Sequence, residues 1–144
     1  MQKSNTELLD ELYNTSKMGL EAVDTLLPKV QDDAMRRQIL SQRKDYEKTA
    51  VKASDMLQNA DNQPQAVKKP MQKAMLWGSI QLNTAADTST EHLAEMMVQG
   101  TVMGMVSIQK RLNELPQSDA GSRALAEGFL KTEQQHIDAL KRML

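Results

Sequence analysis

Residues 129–144, FLKTEQQHIDALKRML, show the pattern that decides the fold of this chain. Their apolar side chains recur every three or four residues, which places them on one face of an α-helix. The stripe begins slightly upstream and comprises Leu125, Ala126, Phe129, Leu130, Ile137, Leu140, Met143 and Leu144. At about 100° per residue, Glu133 falls at the centre of this stripe and His136 lies about 60° to one side. The stretch therefore predicts a helix that buries a carboxyl group among apolar side chains.

Two helices are predicted at the start of the chain. Ser4 and Glu7 have the spacing of a capping box that opens the first helix, and Pro28 ends it. The second helix begins near Asp32 or Asp33, whose negative charge suits a helix N-terminus. The inward stripes of the two helices are Leu8, Leu9, Leu12, Gly19, Val23, Leu26 and Leu27, and then Met35, Ile39, Tyr46, Ala50, Ala53 and Leu57.

The linker-like stretch NADNQPQAVKKP, about residues 59–70, precedes the longest periodic pattern of the chain. This pattern consists of Leu76, Ile80, Asn83, Asp87, Thr90, Ala94, Met97, Thr101, Met105, Ile108 and Leu112. It holds the α-helical period without a phase slip, which predicts one long third helix from about Met71 to Glu114. At ~1.5 Å per residue this helix would be about 66 Å long, so we expect a bend or a break near Asp87.

Pro116 ends the third helix, and Ser118 or Asp119 caps a fourth helix that continues to the end of the sequence. The whole chain, residues 1–144, is therefore predicted to be a single all-α domain. Four antiparallel helices with short first and last connections and a long crossover between the second and third have the topology of a ferritin-like four-helix bundle.

Three stretches stand out in a chain that resembles the ferritin-like superfamily over nearly its whole length: LLPKV at 26–30, AEMMVQGTVMGMVSIQK at 94–110 and KTEQQHIDALKRML at 131–144. They are similar to an uncharacterised bacterial branch of it. The resemblance implies that metal-binding members hold two ions with a Glu from each of two helices and a Glu-x-x-His pair from each of the other two. Glu133 and His136 match one such pair, and Gln42-x-x-Asp45 occupies the place of the other.

The remaining ligands of a two-metal centre are missing. The acidic residues of the first helix fall on its flank or outer face; they are Glu7, Asp10, Glu11, Glu21 and Asp24. On the third helix, His92 and Glu95 lie more than about 90° from the apolar stripe. Gln42 is a poorer ligand for a hard divalent cation than a glutamate would be.

Counting residues along antiparallel neighbours places hydroxyl and amide groups at the level of Glu133. The predicted polar layer consists of Ser16, Gln42, Tyr46, Thr101, Glu133 and His136. We therefore predict a non-enzymatic structural or binding protein without a cofactor, in which this layer replaces the metal centre. The alternative is a di-metal carboxylate protein that holds iron or manganese with Glu133 and His136, with Gln42 and Asp45 as partners.

The composition excludes other classes of function. The 144 residues include 18 Lys and Arg and 19 Asp and Glu, so no net charge favours nucleic acid or an anionic membrane. The most apolar run, residues 96–108, is shorter than the ~20 residues of a membrane span. The chain has no cysteine, which excludes thiol catalysis and fits a reducing, cytoplasmic location. No signal-peptide-like stretch and no phosphate-binding loop occur.

The third helix is apolar around most of its circumference, which is typical of a helix covered on more than one side. We expect a homodimer in which the surplus side chains meet a second subunit; they are Met96, Val102, Met103 and Val106. Gly100-x-x-x-Gly104 would leave a shallow groove on the same helix. Two alternatives stay open: the methionines fill an irregular core, or the bundle binds a ligand in a cavity near Tyr46 and Met105.

Overall fold

The computed structural model describes residues 3–59, 84 and 87–144, and within these ranges the secondary structure is helical, with no strand. The helices whose bounds lie within the described residues are α1 (Lys3–Leu26), α2 (Asp33–Asn59), α3 (Thr90–Glu114) and α4 (Ala120–Lys141). The predicted linker lies outside the described residues except for Asn59. The predicted all-α class is confirmed.

The connection between α1 and α2 is a short 3-10 turn, Leu27–Lys29, with proline at its start. Asp32 then caps α2, because its Oδ2 accepts a hydrogen bond from the Met35 backbone N–H at 2.8 Å. The Arg36 guanidinium reaches back and donates to the Val30 carbonyl at 2.7 Å. These local bonds fix the entry of the chain into α2.

The helix that ends at Glu114 begins at Thr90, so an uninterrupted helix from about Met71 is wrong. Residues 87–89 are not helical, and Ser89 is extended, with φ −61° and ψ 152°. The Ser89 hydroxyl accepts from the His92 N–H at 3.3 Å, and the Asp87 carboxylate accepts from the Ser89 N–H at 2.9 Å. Short polar side chains can compete in this way with helical backbone bonds. The start of α3 at Thr90 lies beside Asp87, where the sequence predicts a bend or a break; the preceding part of the predicted helix, residues 71–83, lies outside the described residues.

The connection between α3 and α4 is also closed by side chains. Asp119 caps α4, because its Oδ1 accepts from the Ser122 N–H at 2.7 Å. Arg123 donates to the carbonyls of Leu112 and Leu115 at 3.3 and 3.0 Å, which satisfies two carbonyls at the end of α3.

The four helices enclose one core. α1 packs against α2, α3 and α4, and α4 also packs against α2 and α3. The fully buried side chains are mostly Leu, Ile and Met, and they include Leu8, Leu12, Met35, Ile39, Leu93, Ile108 and Leu140. Polar side chains interrupt this core at its middle level, where Gln42 and Glu133 are buried. No helix in the described part of the chain is long and apolar enough to cross a membrane.

Candidate functional site: a buried polar layer and an adjacent cleft

Glu133 lies at the centre of the polar layer and is only 1% exposed. Its Oε2 accepts hydrogen bonds from the Gln42 amide at 3.1 Å and from the Tyr46 hydroxyl at 3.3 Å. The helical period of α4 directs Glu133 into the core, so neutral donors from α2 take the place of solvent around the carboxyl group.

Gln42 connects the helices through its amide nitrogen. This nitrogen lies 2.8 Å from Thr101 Oγ1, 3.0 Å from Tyr46 Oη and 3.1 Å from Glu133 Oε2. Because an amide carries only two hydrogens, Gln42 shares them among these acceptors. Thr101 donates its own hydrogen to the Met97 carbonyl at 2.6 Å. The layer therefore joins α2, α3 and α4 through a single amide group.

Burial controls the protonation of the layer. Removal from water raises the pKa of Glu133 to about 8, against the hydrogen bonds from Tyr46 and Gln42, which lower it. The nearby charge of Asp45 acts in the same direction as burial. Burial, together with the charge of Glu133, also raises the pKa of the Tyr46 phenol above its usual value. Near pH 7 the neutral form of Glu133 is therefore favoured.

His136 belongs to a separate hydrogen-bonded group on the same level. Its Nε2 lies 2.7 Å from Asp45 Oδ2, and its Nδ1 lies 2.8 Å from the Gln38 amide nitrogen. The amide nitrogen can only donate, so Nδ1 accepts and the Nε2–H donates to Asp45. The expectation that His136 completes the network of Glu133 is therefore wrong. Sequence reasoning missed Gln38, although it stands one helical turn before Gln42 on α2.

Ser16 is buried as predicted, but its hydrogen bonding differs from the prediction. It is fully buried at the core side of α1, but its hydroxyl makes no hydrogen bond with the described residues. Gln42 Oε1 is likewise buried, and no described residue bonds to it. Counting residues along antiparallel helices predicted which residues are buried at the same level. Hydrogen bonding also depends on the direction of each side chain and on donor–acceptor distances that must be right to within tenths of an ångström.

The residues present do not fit a di-metal centre. Within the described ranges, no group of three or more His, Cys, Asp or Glu side chains lies close enough to hold a metal ion. The neighbours of Glu133 Oε2 are hydrogen-bond donors, and both ring nitrogens of His136 are engaged by Gln38 and Asp45. Hydroxyl and amide donors are poor replacements for the carboxylates and imidazole that such a centre requires.

A cleft of about 300 Å³ lies beside the polar layer, between α1 and α3. Its buried side includes Leu26, Tyr46, Met97 and Thr101, and its exposed rim includes Gln99, Gly100 and Met103. The ligand-binding hypothesis placed a cavity near Tyr46 and Met105. Tyr46 lines this cleft, but Met105 does not; the methionines along it are Met18, Met96, Met97 and Met103. Tyr46 and Thr101 belong to both the cleft and the polar layer.

Glycines shape the approach of α1 to its neighbours. A Cβ atom at Gly19 would lie 2.6 Å from the Tyr46 ring, so only glycine allows α1 to pack this closely. A Cβ at Gly104 would lie 3.1 Å from Thr15 Cγ2, whereas one at Gly100 would meet nothing within 4 Å. Gly104 therefore faces α1 within the bundle, and Gly100 lies at the open rim of the cleft.

The outer face of α3 carries exposed apolar side chains. Val102, Met103 and Val106 are 42%, 71% and 51% exposed. Met96, which the sequence placed in the same group, is partly buried against the core. We call Val102, Met103 and Val106 the α3 patch; Met103 also belongs to the rim of the cleft.

Comparisons of this chain with protein-family models, with curated proteins and with solved structures give no match. The ferritin-like superfamily therefore stays a prediction from the sequence. A function must be inferred from the polar layer, the cleft and the α3 patch.

Proposed function

We propose that this chain is a cytoplasmic, non-enzymatic binding protein with a ferritin-like antiparallel bundle, in which a buried polar layer occupies the place of a metal centre. The observation that carries this proposal is the pair of hydrogen bonds that Glu133 Oε2 accepts from Gln42 and Tyr46. Two donors thus occupy Oε2 of a carboxyl group buried at the centre of the bundle, where a metal ion would need further ligands with free lone pairs.

The burial of Glu133 also favours a role other than catalysis. A general acid or base must come within hydrogen-bonding distance of the substrate. Glu133 is 1% exposed and does not line the cleft, whereas Tyr46 does line it and bonds to the carboxyl group. A molecule in the cleft would meet Tyr46 and not Glu133.

Metal analysis tests this proposal. Protein purified without chelator, and then titrated with iron(II) and manganese(II), should hold no tightly bound metal. Glu133→Ala and Glu127→Ala form a matched pair, because both residues lie on α4 but Glu127 is exposed. One or two tightly held ions per chain that are lost in Glu133→Ala and kept in Glu127→Ala would overturn the proposal and favour the di-metal alternative.

We also infer that the chain forms a homodimer through α3. The α3 patch supports this, because its neighbouring apolar side chains are largely exposed in the single chain. A two-fold interface would cover the patch of each subunit with that of the other. Val106 does not line the cleft, so a substitution there tests the dimer without changing the cleft.

A further inference from the structure

We infer that the cleft between α1 and α3 binds a neutral, mostly aliphatic small molecule that carries a hydrogen-bond donor such as a hydroxyl group. The inference rests on the proposed binding function and names the class of ligand. The hydroxyl oxygens of Tyr46 and Thr101 would accept the hydrogen bond from this donor, and the methionine side chains that line the cleft would contact the aliphatic part of the ligand.

The size and lining of the cleft fit such a molecule. Its volume of about 300 Å³ is at the lower end of the range for small-molecule sites. The apolar lining residues are Met18, Ala22, Leu26, Met96, Met97 and Met103. Methionine side chains are flexible and polarisable, so they adapt to an aliphatic chain without a fixed complementary shape.

The uncharged lining of the cleft favours a neutral ligand over a carboxylate. None of the described residues that line it is charged. A carboxylate that entered the cleft would lose its hydration without gaining a cation, which is costly. A neutral ligand avoids this cost.

The hydrogen bonds already present determine the polar group of the ligand. Tyr46 donates its hydroxyl hydrogen to Glu133, and Thr101 donates its hydrogen to the Met97 carbonyl. Each hydroxyl group has one hydrogen and two lone pairs. What these residues can offer is therefore an acceptor lone pair, and the ligand must supply the hydrogen. A hydroxyl group satisfies this requirement, whereas an ether does not.

Three small probes separate these features. Calorimetric titration of the full chain with 1-octanol should give saturable binding of one molecule per chain. Octanoate tests the charge, and heptyl methyl ether, an isomer of octanol that only accepts hydrogen bonds, tests the donor. We expect both to bind at least about tenfold more weakly than octanol. Octanoate would bury an unpaired charge, and the ether would leave a hydrogen bond unmade; either change costs at least as much binding free energy as the loss of one hydrogen bond. Equal or tighter binding of octanoate or of the ether would overturn the proposed ligand chemistry.

Two glycine variants locate the binding site. Gly100→Leu would place a side chain at the rim of the cleft, and Gly128→Leu makes the same change on the exposed surface of α4; a Cβ at either position meets nothing within 4 Å. Gly100→Leu should weaken octanol binding at least tenfold, while Gly128→Leu should leave it unchanged. Absence of saturable octanol binding, or equal affinities of the two variants, would overturn the inference. Metal content reports on the proposed function separately: a metal-free chain that does not bind octanol contradicts only the ligand inference.

Discussion

The protonation of Glu133 should make the stability of this protein fall as the pH rises. Burial raises the pKa of this carboxyl group from 4.5 to about 8 in the folded chain. The folded state therefore holds the proton more tightly than the unfolded state does. The resulting stabilisation is complete below about pH 4.5, and it is lost as the pH rises toward about pH 8. At about 1.4 kcal/mol per pH unit, we expect the free energy of unfolding to fall by about 2–5 kcal/mol over this range.

Urea unfolding of the parent, Glu133→Gln and Glu127→Gln at several pH values between about 5 and 9 measures this effect. Glutamine has nearly the same shape as glutamic acid but does not titrate in this range, so Glu133→Gln should lose most of the pH dependence that the parent shows. Glu127 is exposed on the same helix, and its variant should keep the parental dependence. If the parent and Glu133→Gln have the same dependence on pH, the raised pKa of Glu133 is refuted.

Five further substitutions test the layer, the packing of α1 and the assembly. Gln42→Leu should lower the free energy of unfolding by roughly 1–3 kcal/mol, because it removes a donor from Glu133; a variant as stable as the parent would show that the layer contributes nothing. Gly19→Ala should cost about 1–3 kcal/mol in the same assay, because the added carbon overlaps the Tyr46 ring. Gly100→Ala should instead raise the free energy of unfolding by up to about 1 kcal/mol. Equal effects of Gly19→Ala and Gly100→Ala would contradict the close packing of α1 against the Tyr46 ring. Val106→Glu should sediment as a folded monomer, whereas Met97→Glu in the core should unfold the chain; a parent that is monomeric at high micromolar concentration would exclude the dimer.

Local sequence signals predicted the helices well. The sequence offered Asp32 or Asp33 at the start of α2 and Ser118 or Asp119 at the start of α4; Asp32 and Asp119 are the residues that cap, since a short acceptor side chain is preferred at the N-cap. The burial of Glu133 followed from its position at the centre of the α4 stripe. Counting residues between antiparallel neighbours also brought Gln42 and Thr101 to its level, and both take part in the layer.

Other features depend on information that a hydrophobic period does not contain. The period is the same for one helix and for two helices in phase, so it could not place the start of α3 at Thr90. His136 turns to Asp45 and Gln38 because its side chain leaves α4 to one side of the stripe, and the sequence does not give its rotamer. The hydroxyl of Ser16 is buried at the expected level but without a bond, which depends on the exact spacing between helices.

The most direct test of a polar layer in place of a metal centre is a double-mutant cycle of Gln42→Leu and Glu133→Leu, measured by unfolding once with EDTA and once with iron(II). Glu133→Leu alone should be tolerated or stabilising, because a leucine of similar volume removes the cost of burying the carboxyl group. In the Glu133→Leu background, Gln42→Leu should lower the free energy of unfolding by less than it does in the parent. The coupling energy between the two substitutions should be at least about 1 kcal/mol, and it should be equal in EDTA and in iron(II). Coupling that is absent in EDTA and present only with iron(II) would show that a metal, and not the hydrogen bonds between Gln42 and Glu133, holds the site together.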